Sequence, residues 1–198
     1  MTSSLTIHLV GAQRSNYPWG FENRGIPALQ RLGHQVISTD FRQQFAQLHQ
    51  LLRQDADLLL VCKGNGIPDE LIRAAPCPSA LWYAELLGTE RAADEAARRN
   101  RADLARNAAA FDYVFSHDQS NLGLIRQMGC ARVGWLPTAV ADAAVQRRLD
   151  LPKAHDVVFV GSLTPRRQRI LDALRAEFAV RVENIWDPAE LNHLYNQA

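Results

Sequence analysis

The sequence predicts an α/β protein built around a doubly wound parallel sheet. Short apolar segments alternate with amphipathic, helix-like segments along most of the chain, which is the order expected of successive βα units. The apolar run at residues 57–62 is continuous rather than alternating, as in strands that helices cover on both faces. Several of these runs end at a glycine or a polar residue, where a sheet of this class presents its ligand-binding groups.

The predicted elements follow one another in a regular order. Six strands are predicted in the first part of the chain, at residues 5–10, 36–38, 57–62, 80–83, 112–116 and 131–136. Helices are predicted between them, at residues 26–32, 45–52, 68–74, 89–110 and 117–128. The polar and aromatic residues 12–25 are expected to form a loop, because Pro18 and Gly20 interrupt them. The fourth helix is rich in Ala, Arg, Asp and Glu, which predicts an exposed helix.

A change of pattern after residue 138 indicates a domain boundary. Strand signals disappear over residues 139–155, and two further strands follow at 156–162 and 179–182, each with a helical segment after it. The prediction is therefore a Rossmann-like domain at 1–138, a linker at 139–155 and part of a second α/β domain at 156–198. The last residues continue a helical pattern without a capping signal, so the native protein is expected to extend past Ala198.

Composition narrows the classes of function. The chain has 198 residues and a net charge of +1, so no global field attracts it to nucleic acid or to anionic membrane. No apolar run approaches the roughly 18 residues of a membrane span, and the first residues do not resemble a signal peptide. The three cysteines lack metal-ligand spacing, which predicts reduced, mostly buried thiols in a cytoplasmic protein.

The strand predicted at residues 156–162 leads into a candidate phosphate site. It ends at Gly161 and Ser162, and Arg166 and Arg167 follow at the start of a helical pattern. A glycine that allows close approach, backbone amides at a helix start and nearby guanidinium groups together suit a diphosphate. An ordinary strand-to-helix turn with solvated arginines explains the same residues equally well.

Two candidate catalytic residues follow other predicted strands. His117 can act on a hydroxyl or stabilise developing charge, and Glu85 can serve as a general base or bind a sugar hydroxyl. Trp82 and Tyr83 precede Glu85, and their rings suit the apolar faces of a sugar. The alternatives are a partly buried His117 beside an Asp118 helix cap, and a surface glutamate beside core aromatics.

Several motifs resemble one family when they are taken in order. They are Leu-Trp-Tyr-Ala-Glu at 81–85, Phe-Asp-Tyr-Val-Phe-Ser-His-Asp at 111–118, Gly-Trp-Leu-Pro at 134–137, and Asp-Val-Val-Phe-Val-Gly-Ser at 156–162 with the two arginines after it. This series resembles the GT-B glycosyltransferases that use nucleotide sugars, and within them the CgeB-like spore-maturation proteins related to glycosyltransferase family 4. The resemblance covers residue 80 to the end.

The resemblance implies an acceptor domain followed by a nucleotide-sugar domain, with hexosyl transfer to an acceptor hydroxyl in the cleft between them. It implies that the Gly161 loop and Arg166 or Arg167 face the donor diphosphate. In a GT-B arrangement the loop after the first strand also faces the cleft, which makes Gly11, Arg14, Tyr17 and Trp19 candidate acceptor contacts. An ordinary surface loop is the alternative there.

The expected co-substrate is a UDP- or GDP-sugar, with no tightly bound cofactor and no metal, because arginine can take the metal's electrostatic role. The expected partners are this donor and a hydroxyl acceptor. Because much of the family's donor site would lie beyond Ala198, the chain alone is expected to have little activity. The competing hypothesis is a Rossmann-like binding or scaffolding domain without chemistry. A dinucleotide-dependent oxidoreductase is disfavoured, because Gly11 does not begin a G-x-G-x-x-G sequence.

Overall fold

The computed structural model describes residues 3–13, 22–88, 95–138 and 147–198. The chain divides into two compact units, Met1–Ala141 and Asp142–Ala198. Each unit contains its own parallel sheet. Within the described parts of the chain, no helix combines the length and the apolar character needed to cross a bilayer.

The first unit is built on a six-stranded parallel sheet. Its strands are β1 (Thr6–Gly11), β2 (Gln35–Asp40), β3 (Leu58–Cys62), β4 (Ser79–Tyr83), β5 (Tyr113–Ser116) and β6 (Val133–Trp135). The strands lie in the order β2-β1-β3-β4-β5-β6, and every neighbouring pair is parallel. This confirms the predicted α/β class with a Rossmann-like sheet. The order reverses direction at β1, which makes the carboxyl ends of β1 and β3 the switch point of the sheet.

Among the described residues, five α-helices connect these strands. They are α1 (Glu22–Arg31), α2 (Leu48–Leu51), α3 (Asp69–Arg73), α4 (Glu95–Asn107) and α5 (Leu122–Gln127). The core consists of strand side chains such as Val10, Val61 and Leu81 packed with helix side chains such as Leu104 and Ile125, all almost completely buried. The central strands are thus covered by helices, as their continuous apolar runs predicted.

Helix α1 begins earlier than the sequence pattern suggested. Residues 22–25 were expected to belong to a loop, but the helix starts at Glu22, and Pro27 lies inside it rather than in its first turn. The Glu22 side chain is buried and its Oε1 accepts a hydrogen bond from the Ala12 backbone N–H at 2.7 Å. This contact ties the helix start to the end of β1, and no apolar periodicity reports it.

Helix α4 is not simply an exposed helix. Ala97, Leu104 and Asn107 are buried, whereas the charged residues elsewhere on the helix contact solvent. Small and polar residues supply part of the buried face, so a search for apolar residues alone underestimates it. The Asn100 and Arg101 side chains donate to the Leu86 and Leu87 carbonyls in the loop after β4 at 3.0 and 2.9 Å, and Asn107 binds the loop after β3.

The second unit contains strands β7 (Val157–Val160) and β8 (Val180–Glu183) with helices α6 (Pro165–Leu174) and α7 (Pro188–Asn196). The two strands pair with each other in parallel and form a sheet separate from the first. Residues 147–155, from the predicted linker, contact the end of α7. The Ala154 and His155 backbone N–H groups donate to the Gln197 carbonyl at 2.8 and 3.1 Å.

Candidate functional site

The carboxyl edge of the first sheet collects polar and aromatic side chains from neighbouring strands. Lys63 follows β3, Glu85 lies two residues beyond β4, His117 follows β5, and Trp135 ends β6. Because all six strands are parallel, their carboxyl ends lie along the same edge. The structure therefore brings the two predicted catalytic residues, Glu85 and His117, to one edge of one sheet.

Lys63 adopts a strained backbone conformation at this edge. Its φ is 71°, and it is the only non-glycine residue with a positive φ in the described part of the chain. The Gly64 backbone N–H donates to the Cys62 carbonyl at 2.9 Å, which closes a three-residue γ-turn around Lys63. Such a conformation costs on the order of 1–3 kcal/mol and persists only where the surroundings hold it.

Asn107, at the end of α4, holds the loop from behind. The side chain is buried, and its amide nitrogen donates to the carbonyls of Gly64 at 3.0 Å and Ile67 at 3.1 Å. Gly64 has a φ of 66°, and a Cβ there would lie 3.1 Å from Val61 Cγ1 and 3.2 Å from Leu81 Cδ1. The loop is therefore fixed by a buried hydrogen-bonding side chain and by a position that only glycine fits.

An ion pair joins the exits of β3 and β4. The Lys63 ammonium lies 2.5 Å from Glu85 Oε1, and the two side chains are 28% and 35% exposed. The Lys63 backbone N–H also donates to the Trp82 carbonyl at 3.1 Å, so the β3–β4 pairing continues up to the lysine. Glu85 is thus a carboxylate with a fixed cationic partner at a solvent-accessible edge.

His117 is anchored to both neighbouring strands and remains half-buried. Its backbone N–H donates to the Tyr83 carbonyl at 3.3 Å, and its own carbonyl accepts from the Trp135 indole at 3.1 Å. The ring Nδ1 lies 3.4 Å from the same Tyr83 oxygen. In the neutral tautomer that donates from Nδ1, the Nε2 lone pair stays available to accept a proton.

Asp118 forms a helix cap, which was the alternative to a site role that the sequence left open for this segment. Its Oδ1 accepts from the Ser120 backbone N–H at 2.9 Å and from the Ser120 hydroxyl at 2.8 Å. These hydrogen bonds, the side-chain one first, hold the pKa of the Asp118 carboxyl below its usual value. Asp118 therefore orders the chain directly after His117.

The two aromatic residues before Glu85 have different environments. Tyr83 is fully buried, its hydroxyl donates to the Asn100 carbonyl at 3.2 Å, and burial raises the pKa of its phenol. Trp82 is half-buried, and its indole donates to the Leu136 carbonyl at 3.3 Å. Tyr83 is therefore part of the core in this structure, and Trp82 links the exits of β4 and β6.

At the end of β1 the structure describes only part of the predicted acceptor loop. Arg14, Tyr17 and Trp19 lie outside the described residues. Gly11 is buried, and a Cβ there would come within 3.0 Å of the Glu22 side chain. Burial, and secondarily the Glu22 charge, raise the pKa of the Cys62 thiol, which marks Cys62 as unreactive.

In the second unit, the predicted phosphate site lies at the start of α6. Gly161 has a φ of 144°, and Thr164 caps the helix by accepting from the Arg167 backbone N–H at 3.3 Å. The Arg167 guanidinium donates to the Ser162 carbonyl at 2.8 Å and lies over the Phe159 ring at 5.6 Å. Arg166 is exposed, and its side chain makes no hydrogen bond or ion pair with the described residues.

Three residues of this edge were not singled out from the sequence: Glu22, Lys63 and Asn107. The lysine in a Lys-Gly-Asn-Gly sequence after a strand was a visible signal, although a weak one. Glu22 and Asn107 act through contacts to residues 10 and more than 40 positions away, which no local pattern reports. No three His, Cys, Asp or Glu side chains cluster as a metal site would require among the residues that the structure describes.

Comparisons with known proteins add no relative. No protein-family model matches the sequence, and a search of curated proteins returns no match. The family resemblance of the motifs therefore stays a prediction.

Proposed function

We propose that the chain is a glycosyltransferase of the GT-B type that moves a sugar from a UDP- or GDP-sugar to an acceptor hydroxyl. The observation that carries the proposal is the succession of two parallel α/β units. The first unit has Lys63, Glu85 and His117 at the carboxyl edge of its sheet, and the second presents Gly161 and two arginines at a capped helix start. In this proposal the first unit holds the acceptor and the second binds the donor diphosphate.

The chemistry assigns a role to each group. The acceptor oxygen forms a bond to the anomeric carbon while the bond from that carbon to the diphosphate oxygen breaks. His117 Nε2 or the Glu85 carboxylate receives the acceptor proton as the general base. The leaving diphosphate gains negative charge, which Arg166 and Arg167 stabilise with backbone amides at the start of α6.

The location of the protein is part of the same proposal. Cys62, Cys77 and Cys130 are all free thiols, and two of them are buried. Three unpaired cysteines suit a reducing compartment. The proposal therefore places the reaction in the cytoplasm.

Calorimetric titration with UDP, GDP and their glucose and mannose conjugates tests the donor site. We expect Arg166→Ala or Arg167→Ala to weaken binding about tenfold, because a charge-assisted hydrogen bond contributes about 1.5–3 kcal/mol. Arg175→Ala is the matched control, because Arg175 lies just beyond the other end of the same helix and pairs with Asp172. Equal affinity for all three variants contradicts a diphosphate site at Gly161.

The second candidate is a domain that binds its ligand without catalysing a reaction, and one observation favours it. Arg167 is already engaged with the Ser162 carbonyl and the Phe159 ring, so its guanidinium supports its own loop rather than a leaving diphosphate. Nucleotide-sugar binding without any transfer to a panel of hydroxyl acceptors supports this candidate. Transfer that depends on His117 or Glu85 supports the enzyme.

A further inference from the structure

Trp135 is an exposed aromatic side chain that is nevertheless held in place. Its side chain and backbone together are 55% exposed, although the residue ends a strand of the central sheet. The indole N–H donates to the His117 carbonyl at 3.1 Å, and the next residue, Leu136, donates its backbone N–H to Ser116 at 2.9 Å. A large ring fixed at both its polar end and its backbone offers a rigid apolar face at little entropic cost on binding.

The residues next to Trp135 keep that ring at the edge. A Cβ on Gly134 would lie 2.9 Å from Phe115 Cδ1 and Cε1, so the glycine lets the Phe115 ring pack directly against β6. The residue that follows Trp135 is also held, because the Leu136 carbonyl accepts a hydrogen bond from the Trp82 indole. Two indole hydrogen bonds therefore tie the end of β6 to the ends of β4 and β5.

Lys63 and Glu85 supply a polar counterpart at the same edge. The ion pair neutralises the lysine charge internally, so an anionic group gains little attraction from it and is repelled by the carboxylate. A hydroxyl group, by contrast, can donate to Glu85 and accept from Lys63 at the same time. Both side chains remain about one-third exposed, so a ligand can reach them.

These groups follow four neighbouring strands at one edge of the sheet. Adjacent strands lie about 4.8 Å apart, so the ends of β4 and β6 are about 10 Å apart across the intervening β5. His117, at the end of β5, lies between them in the sheet order. A planar apolar face, a histidine and a hydroxyl-binding ion pair thus line one edge.

We propose that this edge binds an uncharged carbohydrate, with the sugar ring stacked on Trp135 and its hydroxyl groups bound by the Lys63–Glu85 pair. The inference rests on the proposed function, because it specifies the acceptor as a neutral sugar rather than a phosphorylated or acidic one. It adds Trp135 and Lys63 to the candidate site residues predicted from the sequence.

The test is an NMR titration of the full chain without any nucleotide sugar. The probes are methyl glucoside, methyl galactoside, methyl mannoside and N-acetylglucosamine, each paired with its phosphorylated or uronic acid counterpart. The indole N–H resonance of Trp135, assigned through Trp135→Phe, reports the contact. We expect at least one neutral probe to shift this resonance and to bind more tightly than its anionic counterpart.

Three variants and one control locate the site. Trp135→Ala is expected to weaken binding of the neutral probe about fivefold or more, because stacking on the ring is lost. Glu85→Gln and Lys63→Met are each expected to weaken it about tenfold, because one charge-assisted hydrogen bond is lost. Trp186→Ala is the control, because Trp186 also has an anchored indole but lies in the second unit.

Affinity that is unchanged in Trp135→Ala, or tighter binding of the anionic probes, overturns the proposal. So does the absence of binding by every neutral probe while the fold is intact by circular dichroism. The proposed function fails separately from this proposal, because it is tested by titration with nucleotides and by measuring sugar transfer. A chain that binds neutral sugars at Trp135 but neither binds nor uses nucleotide sugars retains this site and loses the glycosyltransferase assignment.

Discussion

The loops after β3 and β7 are built from similar local parts but are supported differently. Each follows a parallel strand, contains a glycine with a positive φ and has a basic residue nearby. At β3, Lys63 is held by Glu85 from the loop after β4, and its own loop is held by Asn107 from α4. At β7, Arg167 contacts Ser162 and Phe159 of its own segment. Long-range support therefore distinguishes a preorganised edge from a local turn.

Replacing Gly64 is expected to destabilise the loop after β3 more than any other substitution proposed below. Gly64→Ala introduces a Cβ at a φ of 66° and within 3.2 Å of two core side chains, so unfolding of the first unit should become easier by about 2–4 kcal/mol. Gly66→Ala is the control, because its φ is 83° but no atom lies within 4 Å of the added Cβ. Urea denaturation followed by fluorescence measures both, and equal losses would show that packing at Gly64 is unimportant.

Removing the Asn107 amide should produce the next largest effect. Asn107→Ala leaves the buried carbonyls of Gly64 and Ile67 without their partner, which should cost about 2–3 kcal/mol. Arg106→Ala, one residue earlier, removes an exposed ion pair with Asp103 and should change stability by less than about 0.5 kcal/mol. Denaturation curves compare the two, and a similar result for both variants would contradict the supporting role of Asn107.

Acid is expected to affect the first unit selectively. His8 is buried in β1 beside the Thr39 hydroxyl, and burial lowers the pKa of its ring below 6.5. The unfolded chain therefore binds the proton more readily, so stability is complete above pH 6.5 and declines as the pH falls below it. One proton limits the decline to about 1.4 kcal/mol per pH unit.

The variant His8→Gln isolates this contribution. Its stability should depend less on pH between 6.5 and 5 than that of the unmodified chain. His49→Gln, at an exposed position of α2, should leave the pH profile unchanged. A profile that is identical in all three proteins would exclude His8 as the source.

The helix cap of α7 gives the smallest expected effect and concerns the second unit. Asp187 accepts from the Ala189 and Glu190 backbone N–H groups at 2.9 and 3.0 Å, so Asp187→Ala should cost about 1 kcal/mol. Asp187→Asn retains an oxygen acceptor and should recover most of that loss. Hydrogen exchange of the α7 amides measures the effect locally, and protection that is equal in all three proteins would contradict the cap.

Local patterns were sufficient to predict most of the architecture. The continuous run that became β3, and the strand at 112–116, predicted a parallel α/β sheet because strands covered by helices have few polar positions. The start of α1 was missed, because Glu22 belongs to the helix through a contact with Ala12 rather than through periodicity. The partly buried face of α4 was also missed, because Asn107 on that face is polar and a search for apolar residues does not detect it.

The sequence predicted residues of the candidate site only where they follow the end of a strand. Glu85 and His117 were placed by the rule that parallel strands present ligand groups at their carboxyl ends, and the structure puts both at that edge. The ion pair of Glu85 with Lys63 joins residues 22 positions apart. The burial of Tyr83 likewise depends on α4. Such features arise from the tertiary packing and have no signal in the neighbouring sequence.

Sugar transfer itself is the most direct test of the account. The full chain, a UDP- or GDP-sugar and the neutral sugar that binds best are incubated together, and the product is measured by mass spectrometry. We expect at least a small yield of a product heavier than the acceptor by one hexose residue, and a rate reduced about 100-fold or more in the variant His117→Gln or Glu85→Gln that removes the general base. No product from any donor, or a rate indifferent to both substitutions, would contradict glycosyl transfer at this edge.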